Sequence, residues 1–231
     1  MYHVIGQPFP GSRFRGLYVA PTVFALQMRT LAAAGYHAVT LNQVRGAWLG
    51  NRTLPHRPIV LTFDNGYHSQ YARALPVLRH LGWVADENIQ LVGLPPRQGG
   101  LSTRQIRALV AAGWELDTQG YSHADLVQLG PRQLRYQVFV ARQMIERRYH
   151  VPVDWFCYPS GDYDPAVVAA VKAAGYVGST TVVPGWARPS DNPYELPRIR
   201  VLRDTSPRAL LTLVADTRRA PLPPAAYPLG A

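Results

Sequence analysis

The sequence is poor in cysteine, in lysine and in long apolar runs, and each shortage excludes a class of protein. The single cysteine, Cys157, excludes a disulfide framework and a cysteine zinc site, and we expect it to be a small buried apolar residue. No apolar run approaches the ~20 residues that a membrane helix needs, so no membrane span is predicted. The first residues contain no basic region followed by an apolar stretch, so no signal peptide is visible.

Lysine occurs once, at Lys172, so nearly all of the formal net charge of +10 comes from arginine. The arginines are scattered along the chain, which predicts a solvated basic surface and no nucleic-acid partner, with an anionic polymer or cell wall as the weaker alternative. Two locations stay open, the cytoplasm or, for a domain of a secreted precursor, the cell envelope and extracellular space. The oligomeric state is not indicated by any of these features.

What the chain does contain is typical of one sizeable α/β domain. Its 231 residues are 47% hydrophobic and 16% charged, which indicates a globular protein with a real core. An Ala-Ala-Gly-aromatic joint recurs at 33–36, 111–114 and 173–176, with a variant at 80–83. In each joint, glycine suits the left-handed position just past a helix, and the aromatic residue opens the next strand.

Strands therefore alternate with helices, which predicts parallel β-α units. Seven or so units in one domain of this length favour a distorted β/α barrel over an open sheet. We assign residues 1–216 to the barrel and residues 217–231, which hold four prolines, to a tail or linker. The predicted strands are 37–41, 59–63, 89–92, 114–118, 155–158, 176–180 and 196–201. The predicted helices are 22–34, 69–81, one from Ser102, 130–149, one from Asp164, and 207–215.

Three segments place polar side chains at the ends of predicted strands, where α/β folds bind ligands. They read LTFDNGY at 61–67, YSHADL at 121–126 and FCYPSGDYD at 156–164. These segments resemble the TFDDGY, H-T-x-S-H-x-D-L and F-x-Y-P-x-G-x-Y-D motifs of polysaccharide deacetylases of the NodB-homology type (carbohydrate esterase family 4). NPYELPRIRV at 192–201 resembles the last segment of many members, and order and spacing agree over residues 1–216.

The resemblance implies a distorted β/α barrel that removes N- or O-acetyl groups from a carbohydrate polymer. In that family an Asp and two His hold a zinc-like divalent metal, which polarises the acetyl carbonyl and acidifies a bound water. A neighbouring Asp is the general base, a backbone N–H stabilises the oxyanion, and a histidine near the C-terminus protonates the leaving amine.

Carried over by motif position, the family roles fall on five residues. Asp64 takes the general-base position, and His123 takes that of the second metal-binding histidine. Asn65 and Gln119 stand where the metal-binding Asp and the first metal-binding His would be. Tyr158 would supply the backbone N–H for the oxyanion. The metal set is therefore degenerate, because an anionic and an imidazole ligand have become neutral amides.

Further residues are candidates to replace a metal ligand or to contact the substrate. Asp117 lies two residues before Gln119 on one side of a strand, and His68 follows the first motif, so either residue is a candidate to complete the metal site. The last segment has no histidine, so the usual general acid has no evident counterpart. The expected substrate contacts are Tyr67, Pro159, Ser160, Trp186 and Arg198.

Each of these residues also has a purely structural interpretation. Asp64 would then accept turn amides, His123 would be a core histidine bonded to backbone, and Asn65 would cap its turn. Trp186 would stack on a sugar or simply pack on the barrel. Histidines outside the motifs are predicted to be structural or superficial: His3, His37, His56, His80 and His150.

Two hypotheses about function follow. The first is a hydrolase acting on C–N bonds of acetylated amino-sugar polymers, with Asp64 as base and a weak or rebuilt metal site. The second is a non-catalytic relative that has lost metal and activity and binds glycan through the barrel rim. A substitution introduced at Asn65 to trap substrate is a third explanation for the neutral residue there.

Overall fold

The computed structural model describes residues 1–92, 94 and 99–215, in which the chain forms nine strands and eight α-helices. The predicted tail at 217–231 and the domain boundary at 216 lie outside the described residues. The strands are β1 (Val4–Ile5), β2 (Tyr18–Val19), β3 (His37–Val39), β4 (Pro58–Val60), β5 (Thr62–Asn65), β6 (Asp86–Ile89), β7 (Glu115–Thr118), β8 (Trp155–Cys157) and β9 (Gly178–Thr180). The helices are α1 (Pro21–Ala33), α2 (Leu41–Trp48), α3 (Leu75–His80), α4 (Thr103–Ala111), α5 (Pro131–Arg135), α6 (Ala141–Tyr149), α7 (Pro165–Ala173) and α8 (Pro207–Ala215).

The centre of the fold is a curled parallel sheet of five strands in the order β5-β6-β7-β8-β9. Two further parallel pairs, β1-β2 and β3-β4, flank it. Each strand of the main sheet is joined to the next through helical segments, so all the carboxyl ends meet at one rim. The predicted α/β class with a distorted barrel is thereby confirmed, in the form of a half-barrel sheet. Among the described residues, no helix has the length and apolar character that a membrane crossing requires.

Residues 196–201, here called the seam segment, lie between the two edges of this sheet. On one side, Leu196 N donates to Ser179 O of β9 at 3.0 Å. On the other side, Val201 N donates to the carbonyl of the first residue at 3.1 Å, and Tyr2 N donates to β5 at 2.8 Å. The strand predicted at 196–201 is therefore present only as an isolated bridge at Leu196, yet it completes the wall of the barrel.

Alternation along β5 separates an apolar outer layer from a polar interior. Phe63 points outward, and its ring lies 5.0 Å from Trp114 and 5.6 Å from Tyr2, centroid to centroid. Its neighbours Thr62 and Asp64 lie on the opposite face and are buried inside the barrel. The packing of Phe63 against the outer aromatic layer thus fixes the direction in which Asp64 points.

The local start and stop signals explain most of the element boundaries. Gly35, Gly113 and Gly175 follow α1, α4 and α7 at φ of 81°, 85° and 84°, as the recurring joint predicts. Ser102 and Gln105 form the predicted capping box, with Ser102 Oγ accepting from Gln105 N. The helices predicted at 69–81 and 130–149 each include a π-type turn, at 70–74 and 136–140.

Three boundaries differ from the sequence prediction. The strand predicted at 59–63 is split into β4 and β5, and the strand predicted at 89–92 begins earlier, at Asp86. Helix α2 was missed, although Thr40 and Gln43 form a capping box at its start. Helix α2 is short and contains few apolar residues, so no helical period is evident in its sequence. Its capping box, by contrast, can be identified from the sequence.

Candidate active site

Asp64 is the centre of the polar network at the rim of the barrel. Its side chain is 1% exposed and lies near the end of β5, beside Asn88 of β6. Its Oδ1 accepts hydrogen bonds from Arg198 Nη1 at 2.8 Å and from Asn88 Nδ2 at 2.9 Å. Its Oδ2 accepts from Arg198 Nη2 at 2.9 Å. The carboxylate is therefore held by a two-pronged guanidinium contact and one amide.

Arg198 comes from the seam segment and is itself fixed from several sides. Its Nε donates to Thr181 O at 2.8 Å, and its Nη1 also donates to Thr62 Oγ1 at 2.9 Å. Burial would raise the pKa of Asp64, but the charge of Arg198, helped by His3 and Asn88, holds that pKa well below its usual range. Asp64 is thus ionised at any physiological pH, and the predicted substrate contact Arg198 is instead its counter-ion.

His3 joins this network, so of its two predicted alternatives, structural or superficial, burial excludes the second. Its Nε2 lies 3.8 Å from Asp64 Oδ2, and its side chain is almost fully buried. Burial lowers the pKa of His3 to about 3, although the Asp64 charge acts in the opposite direction, so the imidazole is neutral. The sequence held no motif around His3. The bonding of its neighbour Tyr2 to β5 brings it to the site, as does Gln70 Nε2, which donates to the carbonyls of both His3 and Asp64.

The two neutral residues at metal positions lie at the same rim, Asn65 at the end of β5 and Gln119 just after β7, with β6 between these two strands. Asn65 has a left-handed backbone, with φ of 77°, and its Nδ2 donates to Gln90 Oε1 at 3.0 Å. Gln119 N donates to Ile89 O at 2.8 Å, and Gln119 Oε1 is buried without a hydrogen-bond partner among the described residues. The rim therefore contains one buried acceptor that the protein itself leaves unused.

His123 lies in the loop after β7 with a left-handed backbone, at φ of 54°. Burial lowers the pKa of His123, while the carboxylates of Asp64 and Asp162 act to raise it, so both acids lie within electrostatic range. The structure therefore brings the second motif to Asp64, as the sequence predicted, with a neutral imidazole that can act as a ligand or a hydrogen-bonding group.

These residues do not fit the zinc-like ion of the family. Zinc in proteins takes thiolate, imidazole or carboxylate ligands, and of the three positions only His123 offers one. Asn65 and Gln119 supply no charge, and Asn65 already donates to Gln90. Asp64 is committed to Arg198. We therefore derive no catalytic step through a metal at this rim.

Neither proposed substitute ligand joins the rim amides in this structure. His68 is exposed, and its Nδ1 lies 2.8 Å from Gln105 Nε2 in the cap of α4. Asp117 lies inside the barrel on β7, where its Oδ1 accepts from Trp155 N at 2.9 Å. Its closest acidic neighbours are Asp86 and Glu115. The contacts of both candidates therefore do not involve Asn65.

The loop of the third motif presents a different donor from the one predicted. Tyr158 N donates to Thr180 O at 3.2 Å, so this N–H belongs to the sheet and is not free for an oxyanion. The turn continues with Gly161 N donating to Tyr158 O at 2.9 Å. Pro159 has no N–H, and within the described residues the N–H of Ser160 has no acceptor. The backbone of Ser160 is left-handed, with φ of 58°.

Two aromatic residues complete the predicted substrate contacts. Tyr67 follows the first motif, and burial, together with Tyr18 and Asp64, raises the pKa of its phenol to about 12. Tyr67 is therefore a neutral phenol at physiological pH, with a proton to donate to a ligand. Trp186 is 39% exposed in the loop before the seam segment, as a sugar-stacking residue would be.

Comparison with known proteins supports the family resemblance seen in the sequence motifs. A family model described as polysaccharide deacetylase matches residues 51–179. YxkH of Bacillus subtilis (strain 168), provisionally named a polysaccharide deacetylase, is 26% identical over 202 residues, which cover 87% of this chain and 70% of that protein. Poly-beta-1,6-N-acetyl-D-glucosamine N-deacetylase of Escherichia coli (strain K12) is 38% identical over 71 residues, 31% of this chain and 11% of that protein. The structure of Streptococcus pyogenes deacetylase PplD has the same fold, with a TM-score of 0.82 at 23% identity over 92% of this chain and 95% of that chain.

Proposed function

The chain belongs to the polysaccharide deacetylase family, and on that premise we propose that it is a hydrolase that removes acetyl groups from the amino sugars of a polysaccharide. The observation that carries this proposal is the ionised carboxylate of Asp64, buried at the rim and held by Arg198 at 2.8 and 2.9 Å. Such a fixed acceptor orients a water molecule for attack on an acetyl carbonyl.

The reaction needs a place for the proton that water loses on attack, and the pair of Asp64 and His3 provides it. Water attacks the carbonyl carbon, and one of its protons passes to this pair, whose closest atoms are 3.8 Å apart. The pair then gives this proton to the leaving nitrogen as the C–N bond breaks, which releases the free amine and acetic acid, and the acid loses its remaining proton to solvent as acetate. His3 thereby takes the role for which the last sequence segment offers no histidine. Because Arg198 lowers the basicity of Asp64, we expect turnover to be slow.

In the tetrahedral intermediate, negative charge develops on the oxygen of the former carbonyl group. The N–H of Ser160 lacks a protein acceptor and is the donor we assign to this oxyanion. This assignment replaces Tyr158, whose N–H is used in the sheet. Because a backbone N–H does the work, the side chain at position 160 is free to vary.

A second candidate function has its own observation. Gln119 Oε1 is buried and unpartnered, and an acetamido group carries an N–H that this oxygen can accept. With Asn65 also neutral, the rim suits recognition of an N-acetyl group without a metal. The alternative is therefore a glycan-binding protein that holds N-acetylated sugars and does not cleave them.

One experiment separates the two functions. Purified protein is incubated with poly-β-1,6-N-acetylglucosamine and with acetylated chitin oligomers, and released acetate and glycan binding are both measured, with and without a chelator. Acetate release that disappears in Asp64→Asn supports the hydrolase. Glycan binding without acetate, reduced in Gln119→Leu, supports the binding protein. If neither acetate nor binding is detected, both proposals are contradicted.

A further inference from the structure

A second group of acids lies inside the barrel, at the amino ends of its strands. Asp86 begins β6, and Glu115 and Asp117 lie on β7, which pairs with it. One oxygen from each of these carboxylates lies within 4.8 Å of the others. Asp86 and Asp117 are fully buried, and Glu115 is partly exposed. This set is called the deep acid cluster below.

Backbone amides satisfy one oxygen of each carboxylate in the deep acid cluster. Leu41 N donates to Asp86 Oδ1 at 2.9 Å, and Asn42 N donates to Glu115 Oε2 at 3.1 Å, both from the start of α2. Trp155 N donates to Asp117 Oδ1 at 2.9 Å. The other oxygen of each carboxylate is buried with no partner among the described residues. The cluster thus has fixed positions and three unused acceptors.

Asn88 adds an independent sign that a ligand belongs here. It is fully buried and sits on β6 between Asp64 of β5 and Asp117 of β7. Its Nδ2 donates to Asp64 Oδ1, so its Oδ1 faces away from β5, toward the strand of Asp117. This amide oxygen is also buried and unpartnered among the described residues. A buried acceptor left without a donor is rare unless something outside the protein fills the space.

The charge of the deep acid cluster is not balanced by basic side chains. None of its three acids takes part in a salt bridge of the described residues. The nearby charged group that acts on both Glu115 and Asp117 is another acid, Asp154. The two atoms that Arg142 places near acids contact Glu146 and Asp154 instead. Buried carboxylates need a cation or protons, and the protein supplies no cation.

We propose that the deep acid cluster binds a divalent cation of the calcium type. Its donors are all oxygen, which hard cations prefer and zinc does not. Calcium accepts irregular shells of oxygen ligands, whereas magnesium demands a near-ideal octahedron and keeps several of its waters, so a buried set of protein oxygens suits calcium better. One oxygen from each of the three acids lies within 4.8 Å of the others, so a single ion can reach all three. The partial exposure of Glu115 gives the ion a path in.

A bound ion here would connect β6, β7, the start of α2 and β8. None of the rim residues Asn65, Gln119 and His123 belongs to the cluster, and no step of the reaction proposed above uses its acids. Its expected effect is on stability. At a free calcium concentration about a hundredfold above Kd, the midpoint of thermal unfolding should rise by about 5–10 °C.

The test uses the whole purified chain, stripped with a chelator and dialysed. Calorimetric titration with CaCl2 should show one site per chain, and calcium should raise the unfolding temperature more than MgCl2 of the same ionic strength. The double variant Asp86→Asn/Asp117→Asn should lose both signals. The surface variant Asp204→Asn and the rim variant His123→Ala should keep them. Glu115→Gln, at the partly exposed edge, provides a second variant if the double variant fails to fold.

Terbium provides a readout that depends on position. Trp155 donates its backbone N–H to Asp117, so terbium bound in the cluster should emit on excitation of tryptophan and lose that emission when calcium is added. The proposal is overturned if the parent protein shows neither calcium heat nor a calcium-dependent rise in unfolding temperature. It is equally overturned if the double variant responds as the parent does, since the ion would then lie elsewhere.

Discussion

At the rim of the barrel the buried carboxylate of Asp64 meets the guanidinium of Arg198, whereas elsewhere in the same interior the buried carboxylates of Asp86 and Asp117 meet only backbone amides. Burial raises the pKa of Asp86 and Asp117 well above the usual range, and their acidic neighbours raise it further. At Asp64 the same burial is outweighed by Arg198. The partner, and not the depth, decides whether a buried acid in this protein is charged.

The most direct test of this difference is to remove Arg198, the charge partner of Asp64 at the rim. In Arg198→Met, Asp64 becomes an unpaired buried acid, and we expect a loss of about 3–5 kcal/mol in the free energy of unfolding. Urea denaturation measures it. The double variant Asp64→Asn/Arg198→Met should recover much of the loss, because neither charge is left alone. A single variant as stable as the parent would contradict the assigned ion pair.

The rim can also be given the ligands that it lacks. Asn65→Asp together with Gln119→His should bind zinc about a hundredfold more tightly than the parent, a difference of about 2.8 kcal/mol. Calorimetry with zinc measures the change, and acetate release shows whether activity follows. Asn65→Leu with Gln119→Leu is the control that should gain no zinc binding. Equal affinity in parent and variant would show that the parent already has a competent metal site.

The neutral imidazole of His3 makes the free energy of unfolding depend on pH, which provides a further test of the rim. Its pKa is lowered to about 3 by burial, against ~6.5 in an unfolded chain, so its contribution to stability is complete above pH ~6.5 and falls as pH decreases toward 3. The groups that face it are Asp64, Arg198, Arg200 and the amino group of Met1. Between pH 6.5 and 5 we expect about 2 kcal/mol to be lost. His3→Gln should flatten this slope in urea denaturation, and an unchanged slope would assign it to another group.

The smallest effect concerns the deep acid cluster without a cation. In Asp117→Asn the amide oxygen can still accept from Trp155 N, while the cost of taking up a proton on folding, which the raised pKa of Asp117 imposes at neutral pH, is removed. In the presence of a chelator we therefore expect about 1 kcal/mol of added stability at neutral pH. Asp64→Asn should change stability in the opposite direction. If both variants lose stability, the two regions do not differ in the way described here.

The outer layer of the fold was predictable because its rules are local. The Ala-Ala-Gly-aromatic joints, the capping box at Ser102 and the Asp164 helix start all follow from neighbouring residues. The inner layer obeys no such rule. The polar start of β6, with Asp86 and Asn88, reads as a loop in sequence, and it forms a strand because β5 and β7 hydrogen-bond to both of its edges.

The candidate site was predictable to the extent that its motifs are contiguous. Asp64, Asn65, Gln119 and His123 were all placed at the rim by motif order alone. His3 was missed, because its contact with Asp64 spans 61 positions and depends on the strand pairing of Tyr2. The donor in the third motif was misassigned to Tyr158, because sequence does not show which N–H the sheet has already used.

The seam segment has a consequence for how the protein fails. It joins β9 to the first two residues of the chain, which bond to β5, and it also carries Arg198, the counter-ion of Asp64. Any fluctuation that breaks the hydrogen bonds of the seam segment therefore also separates Arg198 from the carboxylate of Asp64. Hydrogen exchange at residues 196–201 would then report both on the integrity of the wall and on the fraction of molecules with an intact site. A partly opened molecule cannot retain a working carboxylate, so barrel closure and chemical competence form one cooperative unit.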